Sequence, residues 1–185
     1  MKEYKRDYPL FSLCGLCCGL CPRYQTDAAS KCPGCGGEDF ALKHPSCAVI
    51  TCSKKHGDIQ YCFQCAEYPC GRYARPGDAD SFISYRNVRS DMDKAARDLQ
   101  EFKRELDAKV EIVEFLIKNY NDGKRKSFYC NAANLLTLAD LKEIMKEIEN
   151  SIEKQDIPVK EKIEKVVAIF IEQAEASGLD LKLRR

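Results

Sequence analysis

Four cysteines fall within the stretch CGLCCGLCPRY, Cys14 to Tyr24, two of them adjacent. Thiols packed this closely can close disulfides, hold a metal ion or carry redox chemistry. The chain has 12 cysteines in 185 residues, and eleven of them lie between Cys14 and Cys70. A disulfide framework belongs to a small secreted domain. Nothing here marks secretion, and the thiols recur in pairs at the two-residue spacing of metal knuckles. A metal is therefore the expected partner.

The sharpest motif is CPGCGG, Cys32 to Gly37. Two thiolates separated by two residues can grip one tetrahedral ion, while the glycines supply the positive φ that turns backbone N–H groups toward sulfur. CFQC, Cys62 to Cys65, offers a second pair, compatible with a ribbon-like site made of two knuckles, and Cys47, Cys52 and Cys70 add further donors. With Cys17 and Cys130 set aside, ten cysteines suffice for two four-thiolate zinc sites with two to spare. His44 or His56 could replace a sulfur, but neither stands at ligand spacing from a second histidine, which favours an ordinary loop role. The spacing leaves open which cysteines share an ion.

An iron-sulfur cluster is the alternative. Cys14, Cys18 and Cys21 make C-x3-C-x2-C, the spacing by which radical enzymes hold a four-iron cluster, and Cys14, Cys17 and Cys21 make a fragment of ferredoxin spacing. Cysteines this crowded satisfy some motif by chance. The strand and helix alternation of a barrel is missing, and no glycine-rich phosphate loop follows.

These thiols need elements to position them. Glycine and proline punctuate the chain up to Gly77 too often for long elements. Beyond it, Val88, Met92, Ala95, Leu99, Phe102, Leu106, Val110, Val113, Leu116, Ile117 and Tyr120 recur at helical spacing, predicting one long amphipathic helix from Val88 to Tyr120. NDGKRKS, Asn121 to Ser127, breaks it. Thr137 as N-cap with Asp140 predicts a second helix through Leu141, Ile144, Ile148 and Ile152. Pro158 predicts the start of a third, through Ile163, Val166, Val167, Phe170, Ile171 and Ala174 to Gly178. The expected class is α+β, mostly α. Residues 1–78 form a loop-rich, zinc-stapled domain with little β structure, and residues 79–185 an antiparallel helical bundle. A cysteine-rich segment this short cannot bury much apolar surface, so it needs staples.

CGLCCGLCPRY, KCPGCGG, CAVITC and YCFQCAEYPCGRY, in that order, resemble the uncharacterised cysteine-rich proteins grouped as domain of unknown function 3795. NDGKRKSFYCNAANLLTLADL, Asn121 to Leu141, is similar to the second half of longer members. The resemblance implies a small zinc-binding domain of the prokaryotic cytoplasm, with Cys14, Cys18, Cys21, Cys32, Cys35, Cys47, Cys52, Cys62, Cys65 and Cys70 as ligands. It supplies no activity. Cys18 aligns with the second cysteine of the first motif, leaving Cys17 as an extra, and AVIT stands where members often carry arginine.

A structural zinc module that presents a surface to a protein or small-molecule partner is the reading favoured, since cysteine-only sites leave no open coordination position. Nucleic acid is disfavoured despite Tyr61, Phe63, Tyr68, Tyr73, Lys54, Lys55, Arg72 and Arg75. Residues 1–78 carry ten Lys and Arg against eight Asp and Glu, so two four-thiolate zinc sites at −2 each would leave the domain at about −2. An enzymatic reading, redox or otherwise, would draw on Cys17 or Cys130 as a reactive thiol. Lys124, Arg125 and Lys126 make a candidate anion-binding turn, with a solvated turn the plainer reading. No run of apolar residues is long enough to span a membrane, and the charged start lacks a secretory core, so the expected location is the cytoplasm.

Overall fold

A computed structural model of the chain describes residues 4–44, 46–74 and 79–184. Among the described residues there are eight α-helices: α1 (Phe40–Lys43), α2 (Ala48–Lys55), α3 (Gly71–Ala74), α4 (Val88–Arg97), α5 (Leu99–Asn119), α6 (Lys126–Leu135), α7 (Leu138–Glu147) and α8 (Val159–Ala176). Two 3-10 turns, Cys18–Leu20 and Cys62–Gln64, and one π-helical turn, Ile148–Ile152, complete the list. The expected loop at Arg75 to Asp78 lies outside the described residues.

There is no strand among the described residues, so the fold is all-α and the α+β expectation is corrected. The physical reason lies in the segment Pro9–Leu13. Its carbonyls accept single bonds from separate turns, Cys35 N to Pro9 O, Gly19 N to Leu10 O and Cys62 N to Leu13 O, each 3.0 Å. Glycine and proline keep these partners too short to run alongside as a ladder. The expected antiparallel bundle of residues 79–185 is not established by the helix contacts. The long helix α5 packs on α4, α6, α7 and the Cys18–Leu20 turn alike.

The expected helix from Val88 to Tyr120 is two helices. Asp98 stands between them in extended conformation, and its side chain accepts the Glu101 N–H at 2.9 Å. An aspartate that caps a new helix competes with continuation of the old one. The α5 stripe of Phe102, Leu106, Val110, Val113 and Leu116 is buried as its spacing predicts. Thr137 and Asp140 form the expected capping box, and the next helix begins directly after Pro158. On α8, Ile169 is buried and Ile171 is 42% exposed, the reverse of the expected stripe at that turn.

Helix α6 was not expected. It lacks an amphipathic period because Tyr129 to Leu135 are all buried. Its two asparagines are satisfied there: Asn131 accepts from Ser84 N at 3.1 Å and donates to Leu181 O at 2.6 Å, and Asn134 donates to Ser84 O at 3.0 Å. Buried polar groups of this kind cost little once paired. The same region is strapped by the C-terminal tail, where Arg184 meets Asp80 at 2.8 Å and Arg86 donates to Asp180 O and Lys182 O.

One hydrophobic core runs from Phe11 to Ala174. Phe11, fully buried, lies 5.5 Å from the Tyr61 ring and 4.5 Å from the Phe102 ring, joining the third cysteine turn to α5. Gly19 permits a close approach to α5, since a Cβ there would stand 2.8 Å from Val110 Cγ2. No helix among the described residues is long and apolar enough to cross a membrane.

Candidate metal centre

The cysteine turns hang on the Pro9–Leu13 spine. Arg6 fastens the spine from behind, donating to Phe11 O at 2.5 Å and to Gln60 O at 2.7 Å, with its guanidinium 4.6 Å from the Tyr61 ring centre. Two turns repeat one local structure. Cys21 N–H donates to Cys18 O and Cys65 N–H to Cys62 O, both at 3.0 Å, and the backbone leaves at φ −77, ψ 135 in the first and φ −76, ψ 136 in the second. Each is followed by a further turn onto a tyrosine, Tyr24 N to Cys21 O at 2.8 Å and Tyr68 N to Cys65 O at 3.0 Å, and Tyr73 N repeats this on Cys70 O at 2.9 Å. The shared pattern C-x2-C-x2-Y was the signal that could have revealed this repeat. The Cys32–Cys35 knuckle has the glycine conformation its motif demands. Gly34 stands at φ +80, and a Cβ there would meet Pro9 O at 2.5 Å.

All 12 cysteines are free thiols. Among the described residues, no three His, Cys, Asp or Glu side chains stand ready to hold an ion as they are placed. The sulfurs instead fall into neighbourhoods. Burial pushes the Cys14 thiol up, relieved by its contact with Ser12 Oγ at 3.2 Å, and the sulfurs of Cys35 and Cys47 push it further. Burial pushes Cys18 well up, and Cys35 and Cys14 add to it. Cys14 is thus influenced by Cys35 and Cys47, and Cys18 by Cys35, Cys14 and Cys21.

Another neighbourhood is built by α2 and the Cys62–Gln64 turn. Cys52, His56, Cys62, Cys65 and Cys70 border one cavity of about 30 Å³. Burial raises the Cys62 thiol to about 11 against the pull of the Tyr73 hydroxyl, and Cys14, Cys70 and Cys52 act on it in the same upward sense. Cys14 therefore acts on Cys62 as well as on Cys18. Cys21 lies beside Cys32 and also acts on Cys18. Burial raises Cys21, and the Arg23 and Tyr24 amides draw it back.

The residues fit a thiolate-bound metal. Nearby backbone amides, of Leu16 for Cys14, Cys35 for Cys18, and Arg23 with Tyr24 for Cys21, act in the direction that favours thiolate, although the Leu16, Cys35 and Tyr24 amides donate to Ser12 Oγ, Pro9 O and Cys21 O. Two buried hydroxyls, of Tyr4 and Tyr68, find no hydrogen-bond partner among the described residues. Tyr4, raised by burial and then by Cys35, faces that sulfur, and Tyr68 lies near Cys62. Donors around a metal-bound sulfur are the outer shell such sites require.

Cys17 belongs to none of these groups. It is buried and its Sγ lies 3.5 Å from Asp91 Oδ2 on α4. Lys109 of α5 lines the same cavity and donates to Ala133 O at 3.1 Å and Leu136 O at 2.6 Å, at the carbonyl end of α6 where a cation is favoured. Burial and the Asp91 charge hold the Cys17 thiol well above its ordinary value. Cys130, fully buried on α6, is pushed up to about 12, by burial first and then by Cys21, against the pull of Lys126.

His44 stacks on Phe40 with ring centres 4.6 Å apart. The turn before α6 serves its own amides: Asn121 Oδ1 accepts from Gly123 N and Arg125 N, and Asp122 accepts from Lys124 N and lies 3.6 Å from Arg125 Nε. Lys124 is exposed and Lys126 opens α6. An anion at this turn would compete with those side-chain acceptors.

The fold and its sulfur neighbourhoods define an all-helical protein with a cysteine-rich N-terminal part hung on a short apolar spine. Residues 10–75 match the model of a family described as Protein of unknown function (DUF3795). No curated protein and no solved structure matches the chain.

Proposed function

We propose that this chain binds two zinc ions through its N-terminal cysteines and that the segment they rigidify is a structural module for a protein or small-molecule partner. The observation that carries the reading is that five donors, Cys52, His56, Cys62, Cys65 and Cys70, border one small cavity, and the turns that carry the other cysteines hang on one spine; Cys14, Cys18, Cys35 and Cys47 are taken as the ligands of the other ion. Cys21 and Cys32 are the two to spare. Zinc would supply Lewis-acid binding of thiolates and, through it, folding energy; structural sites contribute about 10–16 kcal/mol in small zinc peptides at neutral pH.

The chain's own residues do the rest. The spine carbonyls of Pro9, Leu10 and Leu13 fix the turns, the Leu16, Cys35, Arg23 and Tyr24 amides favour the thiolates, and the aromatic rings of Phe11 and Tyr61 keep water from the back of the site. A cavity of about 30 Å³ suits a single ion and is far below the 300–1,000 Å³ typical of organic ligands. A reducing compartment such as the cytoplasm suits a protein with this many free thiols. Metal analysis of protein purified without oxygen tests the reading. Two zinc ions per chain and no colour are expected; a brown protein with iron and labile sulfide would overturn it.

A further inference from the structure

We infer that His56 is a zinc ligand, completing a set with Cys52, Cys62 and Cys65 and leaving Cys70 outside it. The inference rests on the zinc reading above and assigns the second of the two ions. Cys52 lies in α2 and His56 directly closes that helix, donating its N–H to Ser53 O at 2.9 Å. Residues four apart on a helix share a face, so the two present sulfur and imidazole side by side to the same cavity. Cys62 and Cys65 bring a second chelating pair from the repeated 3-10 turn.

The distance across the two pairs supports the assignment. His56 Nδ1 stands 3.7 Å from Cys65 Sγ. With Zn–S at about 2.3 Å, Zn–N at about 2.05 Å and tetrahedral angles, the edge between a sulfur and a nitrogen ligand is about 3.6 Å. These two donors are already at the separation a shared ion would impose. Cys52 and Cys62 lie on the same cavity wall; as placed, no three of these donors stand together, so binding an ion requires their side chains to rotate inward.

A tetrahedral zinc has four positions, and the helix pair and the turn pair fill them. Cys70 is the fifth donor at the cavity, and it acts on Cys62. It is therefore a free thiol next to a zinc site. A Cys3His site carries −1 rather than −2, which lowers the repulsion from the Cys14 sulfur.

Zinc-edge X-ray absorption on the full, anaerobically loaded chain tests this. Native protein should show imidazole scattering equivalent to one histidine shared over two zinc ions, and His56→Ala should lose it. A sulfur-only shell in a native protein with two zinc ions would overturn the inference and leave the zinc reading standing. Absence of zinc at the outset would overturn both. Because His56→Ala could fail to fold, Cys70→Ser provides a second measure: it should retain two zinc ions per chain, and a fall to one would make Cys70 the ligand instead.

Discussion

Phe11→Ala removes a ring that has no solvent exposure and touches both the third cysteine turn, through Tyr61, and α5, through Phe102. Truncation of a fully buried phenylalanine costs about 3–5 kcal/mol, cavity included. At about 4 kcal/mol and a urea slope of about 2 kcal/mol/M, the unfolding midpoint should fall by about 2 M. Because Phe11 sits between the turns and the helices, the cost should appear on both sides. Peptide-level hydrogen exchange of the zinc-loaded protein reads this directly. At about 1.4 kcal/mol per tenfold, protection in the α5 stripe around Phe102 to Val113 and in the Cys14–Tyr24 turns should fall together by up to about a thousandfold. Loss confined to the cysteine turns, with α5 unchanged, would refute the shared core. It would show that the helices fold without the spine.

Two further outcomes follow from particular side chains. Burial alone would raise the Asp80 pKa, but hydrogen bonds from Arg184, from the Tyr85 and Arg184 amides and from Ser84 outweigh it and hold the carboxyl well below its ordinary value. A depressed folded pKa means this stability is present above the unfolded value of about 3.9 and is lost as pH falls through the folded one. Asp80→Asn should therefore cost about 2–3 kcal/mol at pH 7 and flatten the acid limb of the melting profile; equal slopes for both proteins would remove Asp80 as its source. Cys130, pushed up to about 12, has on the order of 10⁻⁴ of its molecules as thiolate at pH 8. It and Cys17 should resist iodoacetamide in the folded, zinc-loaded protein by mass spectrometry, and rapid labelling of either would overturn their assignment as inert core thiols.

What the sequence revealed tracks what local periodicity encodes. The α5 stripe, the Thr137 capping box and the Pro158 start were legible because each depends on residues within a turn or two of one another. The break at Asp98 was not, because a capping aspartate leaves the apolar period intact across it. Helix α6 was hidden by burial on all sides, with Asn131 and Asn134 masking its core position until their partners Ser84 and Leu181 arrive from far along the chain. At the candidate site, the knuckles were legible from spacing, but the spine was not. Pro9 to Leu13 carries its function in backbone carbonyls, which no side-chain motif reports. From the sequence, His56 can replace a sulfur but ranks behind a loop role, because no second histidine stands at ligand spacing; in the fold it borders one cavity with Cys52 of the same helix.

The adjacent thiols Cys17 and Cys18 show how one turn can serve two sides. Cys18 looks toward Cys35 and Cys14, and Cys17 toward Asp91 on α4, in a cavity also lined by Lys109 of α5. Lys109 in turn holds the carbonyl end of α6, the helix that carries Cys130 toward Cys21. Three helices therefore grip the back of the turn whose front faces the sulfurs. Closing a metal site on the front would restrict Cys18, and through the 3-10 turn that follows Cys17 it would also order the α4, α5 and α6 contacts. In the opposite direction, loosening those helices would free the turn and weaken the thiolate set. The extra cysteine of the opening motif is thus best understood as the point where the helical half of the chain takes hold of the cysteine-rich half.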